Sequence, residues 1–455
     1  MQSAPSGVSA LLRPPRRGKD NKMSPPNPAH IEEASGLAAR RAALEVIEAA
    51  LDRRGGLEVA LGAPALSALD GRDRAFARAL AMTVLRRLGA LDRVLDARLR
   101  KAPPEAVKAL LRLGAAQLLY METPGHAAVD AAVELAGQRS ETRPFKALVN
   151  AVLRGLARDG APEVPPEAFA PDWLFARWRA AYGEAAAQAI AAHAAEEPAT
   201  DLTPRDPAQA GGLAALLDGE VLEGGSVRTR RHGDLAAWPG YAEGQWWVQD
   251  ASAAVPARLL SVGPDATALD LCAAPGGKTL QLAAAGAQVT AVDRSAVRLE
   301  RLSENLTRMG LQAEVVAADA AGWQDPRLFD AVLLDAPCTA TGAFRRNPEV
   351  LWVTRPAEIA KLAAVQTRLL AAAANRVRPG GRLVYCVCSL EPEEGEAQVE
   401  AFLRARGDFR IDPILAGEGG APAASLRPDG TLRILPPHRP GGTDGFFIAR
   451  MTRAA

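Results

Sequence analysis

Two stretches of this 455-residue chain put cysteines where a thiol could act as a nucleophile: Asp335-Ala336-Pro337-Cys338 and Cys386-Val387-Cys388-Ser389. Each closes an apolar run of strand type, so each delivers its last cysteine where a strand gives way to a loop. A free cysteine is ordinarily a small buried hydrophobe, a reading that suits Cys272 and Cys386. It suits Cys338 and Cys388 poorly, because they stand beside Pro and Ser at loop starts. Side chains alternate along a strand, so Cys386 and Cys388 share a face, with Cys388 nearer the open edge. A thiolate there answers a specific chemical problem. The C5 carbon of a pyrimidine is too weak a nucleophile to attack a sulfonium methyl group. Addition of a thiolate at C6 turns the ring into an enamine with carbanion character at C5. With a proton on either the carboxyl or the base, Asp335 would steady the ring through N3 and the exocyclic amine. After transfer a base must remove the C5 proton, and a second thiol is a candidate helper for that release.

A ligand-binding turn lies upstream. Cys272-Ala273-Ala274-Pro275-Gly276-Gly277-Lys278 follows the strand-like run ending in Asp270-Leu271 and precedes a helix. Its glycines let backbone pass close to a ligand, and the helix start presents free N–H groups. Gly277-Lys278-Thr279 imitates the end of a phosphate-binding P-loop, but that motif needs Gly where Cys272 stands. The G-x-G-x-x-G of a hydride-transfer fold is also absent. The second strand ends in Asp293, placed to grip ribose hydroxyls, and the third in Asp319, placed to accept from an adenine amine. Each alone would be read as a helix cap or turn residue. Together they describe an adenosine ligand without a phosphate anchor, as in S-adenosylmethionine.

The elements that must carry these residues are alternating strands and helices from about residue 249 to the end, which predicts a doubly wound, mostly parallel α/β sheet with ligands at the strands' carboxyl ends. One helix of this part is expected over residues 357–377. Residues 37–160 repeat apolar positions at three- and four-residue spacing, the pattern of an all-α domain. They carry 20 Lys+Arg against 14 Asp+Glu, although the whole chain is nearly neutral at +1. A basic module beside a mildly acidic one suggests polyanion binding; solvated helix faces are the competing reading. Residues 161–248 form a helical then α+β connector, and residues 1–36, rich in Pro, Ser and basic residues, a disordered tail. No run reaches the roughly 18 apolar residues of a membrane helix, and the first residues lack a secretory core. Four cysteines exclude a disulfide scaffold, and neither they nor the five scattered histidines have metal-ligand spacing. A cytoplasmic protein with no metal and no membrane partner is expected, and nothing demands more than a monomer.

DLCAAPGGKT, AVDRS, DAPCTATGAFRRNPEV, YCVCSLEPEE and GGTDGFFIARM, with VQDASA and PDWLFARWRAAYGE, make the chain resemble the Sun (Fmu) family of RNA cytosine-C5 methyltransferases. DRAFARAL, LLRLGAAQLLYM, PGHAAVDAAVELA and FKALVNAVLRGL are similar to a NusB-type RNA-binding helical domain. The resemblance covers roughly residues 37–450. It implies a Rossmann-like methyltransferase domain over 249–455 behind a NusB-like domain over 37–160, a fusion typical of the bacterial enzymes of 16S ribosomal RNA. It implies that residues 272–278, Asp293, Asp319 and Asp335 contact S-adenosylmethionine, that Cys388 is the nucleophile, and that Cys338 assists product release. Two departures stand out: Val387 replaces the family's Thr before the nucleophile, and Cys386 is an additional thiol.

A target cytosine must leave its stack to reach Cys388, so single-stranded or looped RNA is the expected substrate. Phosphate contacts are expected from the Arg-rich segments 72–101 and 139–158 and from Arg345 and Arg346 after Cys338, with a surface ion pair the competing reading for the last two. Trp246 and Trp247 are expected to be buried in the connector rather than stacked on a base. The competing functions are the same chemistry on transfer RNA and a non-catalytic RNA-binding assembly factor that retains the cofactor pocket.

Overall fold

The computed structural model describes residues 28–52 and 56–455. Of the expected disordered tail, residues 1–27 lie outside the described residues, whereas residues 28–36 belong to the first helix. Helices α1 (Pro28–Leu51), α2 (Gly56–Leu61), α3 (Pro64–Ser67), α4 (Gly71–Arg86), α5 (Leu88–Asp96), α6 (Glu105–Tyr120), α7 (Gly125–Gln138) and α8 (Lys146–Asp159) form a bundle. Three- and four-residue spacing explains the packing: α4 buries Ala77, Leu80, Ala81, Val84 and Leu85 on one face, and α8 buries Val149, Val152, Leu153 and Leu156. Helix α6 is buried nearly all round, from Val107 to Gln117, and so runs through the bundle's centre. Asp70 caps α4 by accepting from Asp73 N at 2.8 Å.

The connector has two parts. Helices α9 (Asp172–Tyr182) and α10 (Glu184–Ala194) share a core around Trp178 and Ile190 that also takes in Phe344, Leu351 and Leu390 from the following domain. Strands β1 (Thr200–Pro204), β2 (Gly219–Val221), β3 (Val227–Thr229) and β4 (Trp246–Val248), with α11 (Ala210–Leu216), form a small antiparallel sheet in the order β2–β3–β1–β4. Trp246 and Trp247 are buried, as expected. Asp201 on β1 binds Arg228 on β3 in a buried bidentate pair at 2.7 and 2.8 Å, and its Oδ2 also accepts from Ala251 N at 3.0 Å, which ties the connector to the start of the next helix.

The remaining chain alternates as the apolar runs predict. In chain order it gives α12 (Ala251–Leu259), β5 (Thr267–Leu271), α13 (Gly277–Ala284), β6 (Gln288–Asp293), α14 (Ala296–Met309), β7 (Glu314–Ala317) and β8 (Phe329–Asp335). Then come α15 (Val350–Val353), α16 (Pro356–Ala374), β9 (Val377–Val387), α17 (Glu396–Ala405), β10 (Phe409–Ile411), β11 (Leu432–Ile434) and β12 (Phe446–Arg453). Helix α16 stops three residues short of the expected end because Val377 begins β9. The sheet runs β10–β12–β9–β8–β5–β6–β7, with β11 on β12; β5 to β9 are parallel and β12 is antiparallel to β9. Strand order reverses between β5 and β8, and that switch point opens a crevice at their carboxyl ends. The Gly-rich turn leaves β5 there, Asp335 ends β8, and Asp335 pairs in register with Cys386 on β9.

The helical bundle sits directly against this domain. Leu57 N donates to Glu349 Oε1 at 3.3 Å, Arg86 Nη2 donates to the Arg345 carbonyl at 3.3 Å, and Glu58 pairs with Arg301. Among the described residues no helix is long and apolar enough to cross a membrane.

Candidate active site

The Gly-rich turn is shaped by backbone geometry that most residues disfavour. Gly276 has φ +109°, and a Cβ there would come within 2.8 Å of Leu302 on α14. Cys272 takes φ +61°, a left-handed conformation costly for a non-glycine residue, which marks the turn as constrained by its surroundings. Asp293, at the end of β6 and buried, holds the turn from beside: Oδ2 accepts from Ala274 N at 3.1 Å and Oδ1 from Ser295 N at 2.9 Å. A carboxylate has about four acceptor sites, so each oxygen keeps capacity for a ligand hydroxyl. Asp293, Cys272, Asp319 and Pro337 line one cavity of about 240 Å³. Asp319 differs from expectation in its setting. Strand β7 ends at Ala317, and Asp319 lies in an exposed turn two residues on, its Oδ1 accepting from Ala321 N at 3.1 Å.

A second cavity, about 360 Å³, adjoins the other side of the turn and is lined by Ala273–Pro275, Lys278, Asp335, Arg346, Cys388 and Phe446. Cys338 and Cys388 meet beside it, their sulfurs 3.6 Å apart in a hydrogen bond that either thiol can donate. That bond, together with burial, pushes the Cys338 thiol well above its ordinary range. Burial, reinforced by the Asp335 charge, does the same to Cys386, whose Sγ lies 3.3 Å from Asp335 Oδ1. Burial also raises Cys272 to about 12. Neither Cys272 nor Cys386 is set up to supply a thiolate. The other Asp335 oxygen accepts from Lys278 Nζ at 2.6 Å. Burial opposes the charge on Lys278, but the adjacent Asp335 outweighs it and the ammonium is strengthened. Lys278 stands over the Phe446 ring at 5.5 Å, so it addresses the cysteine-bearing cavity rather than Asp293.

The two arginines part company. Arg345 is 2% exposed, with its Nη2 donating to the Gly441 carbonyl at 2.7 Å and its own carbonyl covered by Arg86 of the helical bundle. The expectation that Arg345 clamps a phosphate is therefore corrected: its guanidinium is packed against the Gly441–Gly442 turn, while Arg86 of the helical bundle covers its carbonyl. Arg346 keeps 41% of its side chain exposed on the cavity rim while pairing with the buried Asp444.

S-adenosylmethionine fits this pocket on an unpartnered acceptor, Asp270 Oδ1. Asp270 is fully buried at the end of β5, its Oδ2 accepting from Thr279 Oγ1 at 2.6 Å, and its Oδ1 has no partner among the described residues. It borders the cavity at the Gly-rich turn, where an ammonium donor would satisfy it. Burial pushes its pKa up to about 7. The folded-state pKa exceeds the unfolded one, so stability should fall as pH rises from about 4 to 7, by at most ~1.4 kcal/mol per unit. Asp270→Asn should accordingly gain thermal stability relative to wild type across that window, with the difference level above it. A melting-temperature difference indifferent to pH would refute this assignment.

An open twisted α/β sheet whose switch point holds a Gly-rich turn, a buried acid at the end of the next strand and a cysteine pair defines an S-adenosylmethionine-dependent methyltransferase. The profile described as 16S rRNA methyltransferase RsmB/F matches residues 257–452, and that of the NusB family matches residues 37–158. Ribosomal RNA small subunit methyltransferase B of Xanthomonas campestris is 39% identical over 93% of this chain and 98% of its own, and that of Pseudomonas syringae 37% over 91% and 97%. The chain belongs to the 16S rRNA methyltransferase RsmB/F family. Among solved structures, PH0851 shares the fold over 91% of this chain and 98% of its own, with a TM-score of 0.75 at 24% identity. A methyltransferase homolog protein from Pyrococcus horikoshii covers 62% of this chain and 95% of its own, with a TM-score of 0.53 at 27% identity.

Sequence reasoning did not find several residues that shape the site. Arg177 on α9 pairs with buried Glu391, and Tyr182 donates to the Leu390 carbonyl, so the connector helices brace the loop after Cys388. Phe446 and Asp444 lay in plain view within GGTDGFF, but only the antiparallel pairing of β12 with β9 brings them to the cysteines.

Proposed function

We propose that this methyltransferase transfers a methyl group to C5 of a cytosine in 16S ribosomal RNA through a transient bond between Cys388 Sγ and C6 of the base. The observation that carries the reading is the pair of cysteine sulfurs 3.6 Å apart, beside a cavity that also holds the Asp335–Lys278 pair and touches the Gly-rich turn. S-adenosylmethionine, when bound along Asp293, Asp319 and the turn 272–278, supplies an electrophilic methyl group on its sulfonium. Asp335 accepts from the exocyclic amine of the extruded base, with Lys278 holding that carboxylate in place. The Cys388 thiolate adds to C6, the electron pair displaced to C5 takes the methyl group as its bond to the sulfonium breaks and leaves a neutral thioether, and a base then removes the C5 proton. The C6–S bond breaks as the C5=C6 double bond re-forms, which returns the Cys388 thiolate.

The cysteine coupling gives a reason for the division of labour. While Cys388 is free, its hydrogen bond, burial and its charge together hold the Cys338 thiol up. Once Cys388 is bonded to C6 it is a neutral thioether, and the penalty on Cys338 is relieved at the step where a base is needed. The substrate assignment rests on the relatives' names and on the basic helical bundle, whose segments 72–101 and 139–158 would contact phosphates together with Arg346. The reaction belongs in the cytoplasm, where that RNA is found.

Incubation with labelled S-adenosylmethionine and, separately, protein-free 16S rRNA, assembled 30S subunits and bulk transfer RNA, followed by nucleoside analysis, tests this directly. 5-Methylcytidine in 16S rRNA is the expected product. Label only in transfer RNA would overturn the substrate, and no label despite cofactor binding would favour a binding factor. For the cofactor arm, Asp293→Ala should weaken S-adenosylmethionine binding by about 10- to 100-fold in calorimetry, the cost of a charge-assisted hydrogen bond and its tether on the turn. Unchanged affinity would refute the ribose assignment.

A further inference from the structure

We propose that Glu394 is a positioning residue that sets the spacing of the two cysteines; the inference rests on the roles assigned above to Cys388 and Cys338. Glu394 is fully buried and lies behind the cysteine loops rather than on the cavity. Its Oε1 accepts from Thr339 N at 3.0 Å and from Gln366 Nε2 at 3.1 Å. Its Oε2 accepts from Ser389 Oγ at 2.5 Å and from Thr339 Oγ1. Thr339 directly follows Cys338, and Ser389 directly follows Cys388. One carboxylate thus grips the residue after each cysteine, on two loops that are 50 residues apart in the chain.

Burying a carboxylate is costly unless its acceptor sites are used, and here they are used mainly on the two cysteine loops, with one bond from α16. The rest of the arrangement makes Glu394 a fixed point. Tyr385 OH, on the strand that leads to Cys388, donates to the Glu394 carbonyl at 2.6 Å. Gln366 Nε2, from α16, donates to Pro337 O at 2.9 Å as well as to Glu394. The Cys338 loop itself is irregular: Ala340 takes φ +56°, and Gly342 N donates to the Cys388 carbonyl at 2.9 Å. A Cβ at Gly342 would come 2.2 Å from Gly445 O, so this loop has no slack on its other side. With no regular secondary structure to hold them, the sulfurs keep their separation through Glu394 together with direct bonds between the loops, Thr339 Oγ1 to Ser389 Oγ at 3.3 Å and Leu390 N to Thr341 Oγ1 at 3.0 Å. Among the described residues, only Glu394 binds the residue after each cysteine.

The two arms of Glu394 should be separable in kinetics. Time courses of covalent complex on denaturing gels, with cytosine-containing substrate RNA, resolve adduct formation from adduct release. Ser389→Ala should slow formation by about tenfold, the worth of its charge-assisted bond to Glu394, with release unchanged. Thr339→Val should leave formation intact and slow release, so that covalent complex accumulates. Glu394→Ala should slow both, lowering kcat by about 10²-fold at unchanged KM for RNA and unchanged cofactor affinity. If Glu394→Ala does not fold, the two hydroxyl variants carry the test alone. The inference is overturned if both hydroxyl variants affect the same step, if Glu394→Ala forms and releases adduct at wild-type rates, or if activity is lost only in step with cofactor binding. Wild-type protein that forms no adduct at all would instead count against the covalent reading itself.

Discussion

Cys338→Ala is expected to leave the protein covalently attached to its RNA. The Cys388–C6 bond cannot break until the C5 proton has gone, and the only sulfur hydrogen-bonded to Cys388 among the described residues is Cys338, at 3.6 Å. In the free enzyme that contact and burial push the Cys338 thiol up, which keeps it protonated while Cys388 attacks. Methyl transfer should therefore proceed in the variant, and release should fail. Turnover should drop by about 10²- to 10⁴-fold, the range for loss of a positioned acid or base. A slow-migrating complex on a denaturing gel, its RNA already methylated, is the result to look for. Unchanged turnover with no complex would remove Cys338 from the mechanism.

Cys388→Ala should fail one step earlier. Without addition at C6 the ring never becomes an enamine, so methyl transfer should fall by on the order of 10³-fold or more. Cofactor affinity should be retained, because Asp293 and the Gly-rich turn are held by other contacts. Cys386 offers no substitute: it is fully buried, its Sγ is engaged by Asp335, and burial pushes its thiol up. Full activity in Cys388→Ala would sink the mechanism.

Much of this was legible before the structure, and the reason differs by element. Strands buried on both faces read as apolar runs, so β5, β8 and β9 announce themselves, and the residues at their carboxyl ends are placed by topology alone. The cysteines, Asp335 and Asp293 were singled out that way. Residues in loops were not, because a loop has no period to say which side chain faces inward. Arg345 and Arg346 are adjacent and alike in sequence, yet one is buried against the Gly441–Gly442 turn and the other stands on the cavity rim. The same holds for the EPEE stretch after Ser389. Glu391 and Glu394 are buried and Glu393 is exposed, an order that only the docking of α9 and the return of the Cys338 loop decides. Lys278 was read with the cofactor turn because it sits in it; that its ammonium turns to Asp335 follows from the proximity of β5 and β8 in the sheet.

The most direct test of the covalent mechanism is to trap it. In substrate RNA carrying 5-fluorocytidine, addition and methyl transfer leave no C5 proton to remove, so the adduct should persist. After digestion of the trapped complex, mass spectrometry should find the methylated nucleotide on the peptide containing Cys388. The same nucleotide on Cys338, or methyl transfer with no protein–RNA bond, would contradict the account.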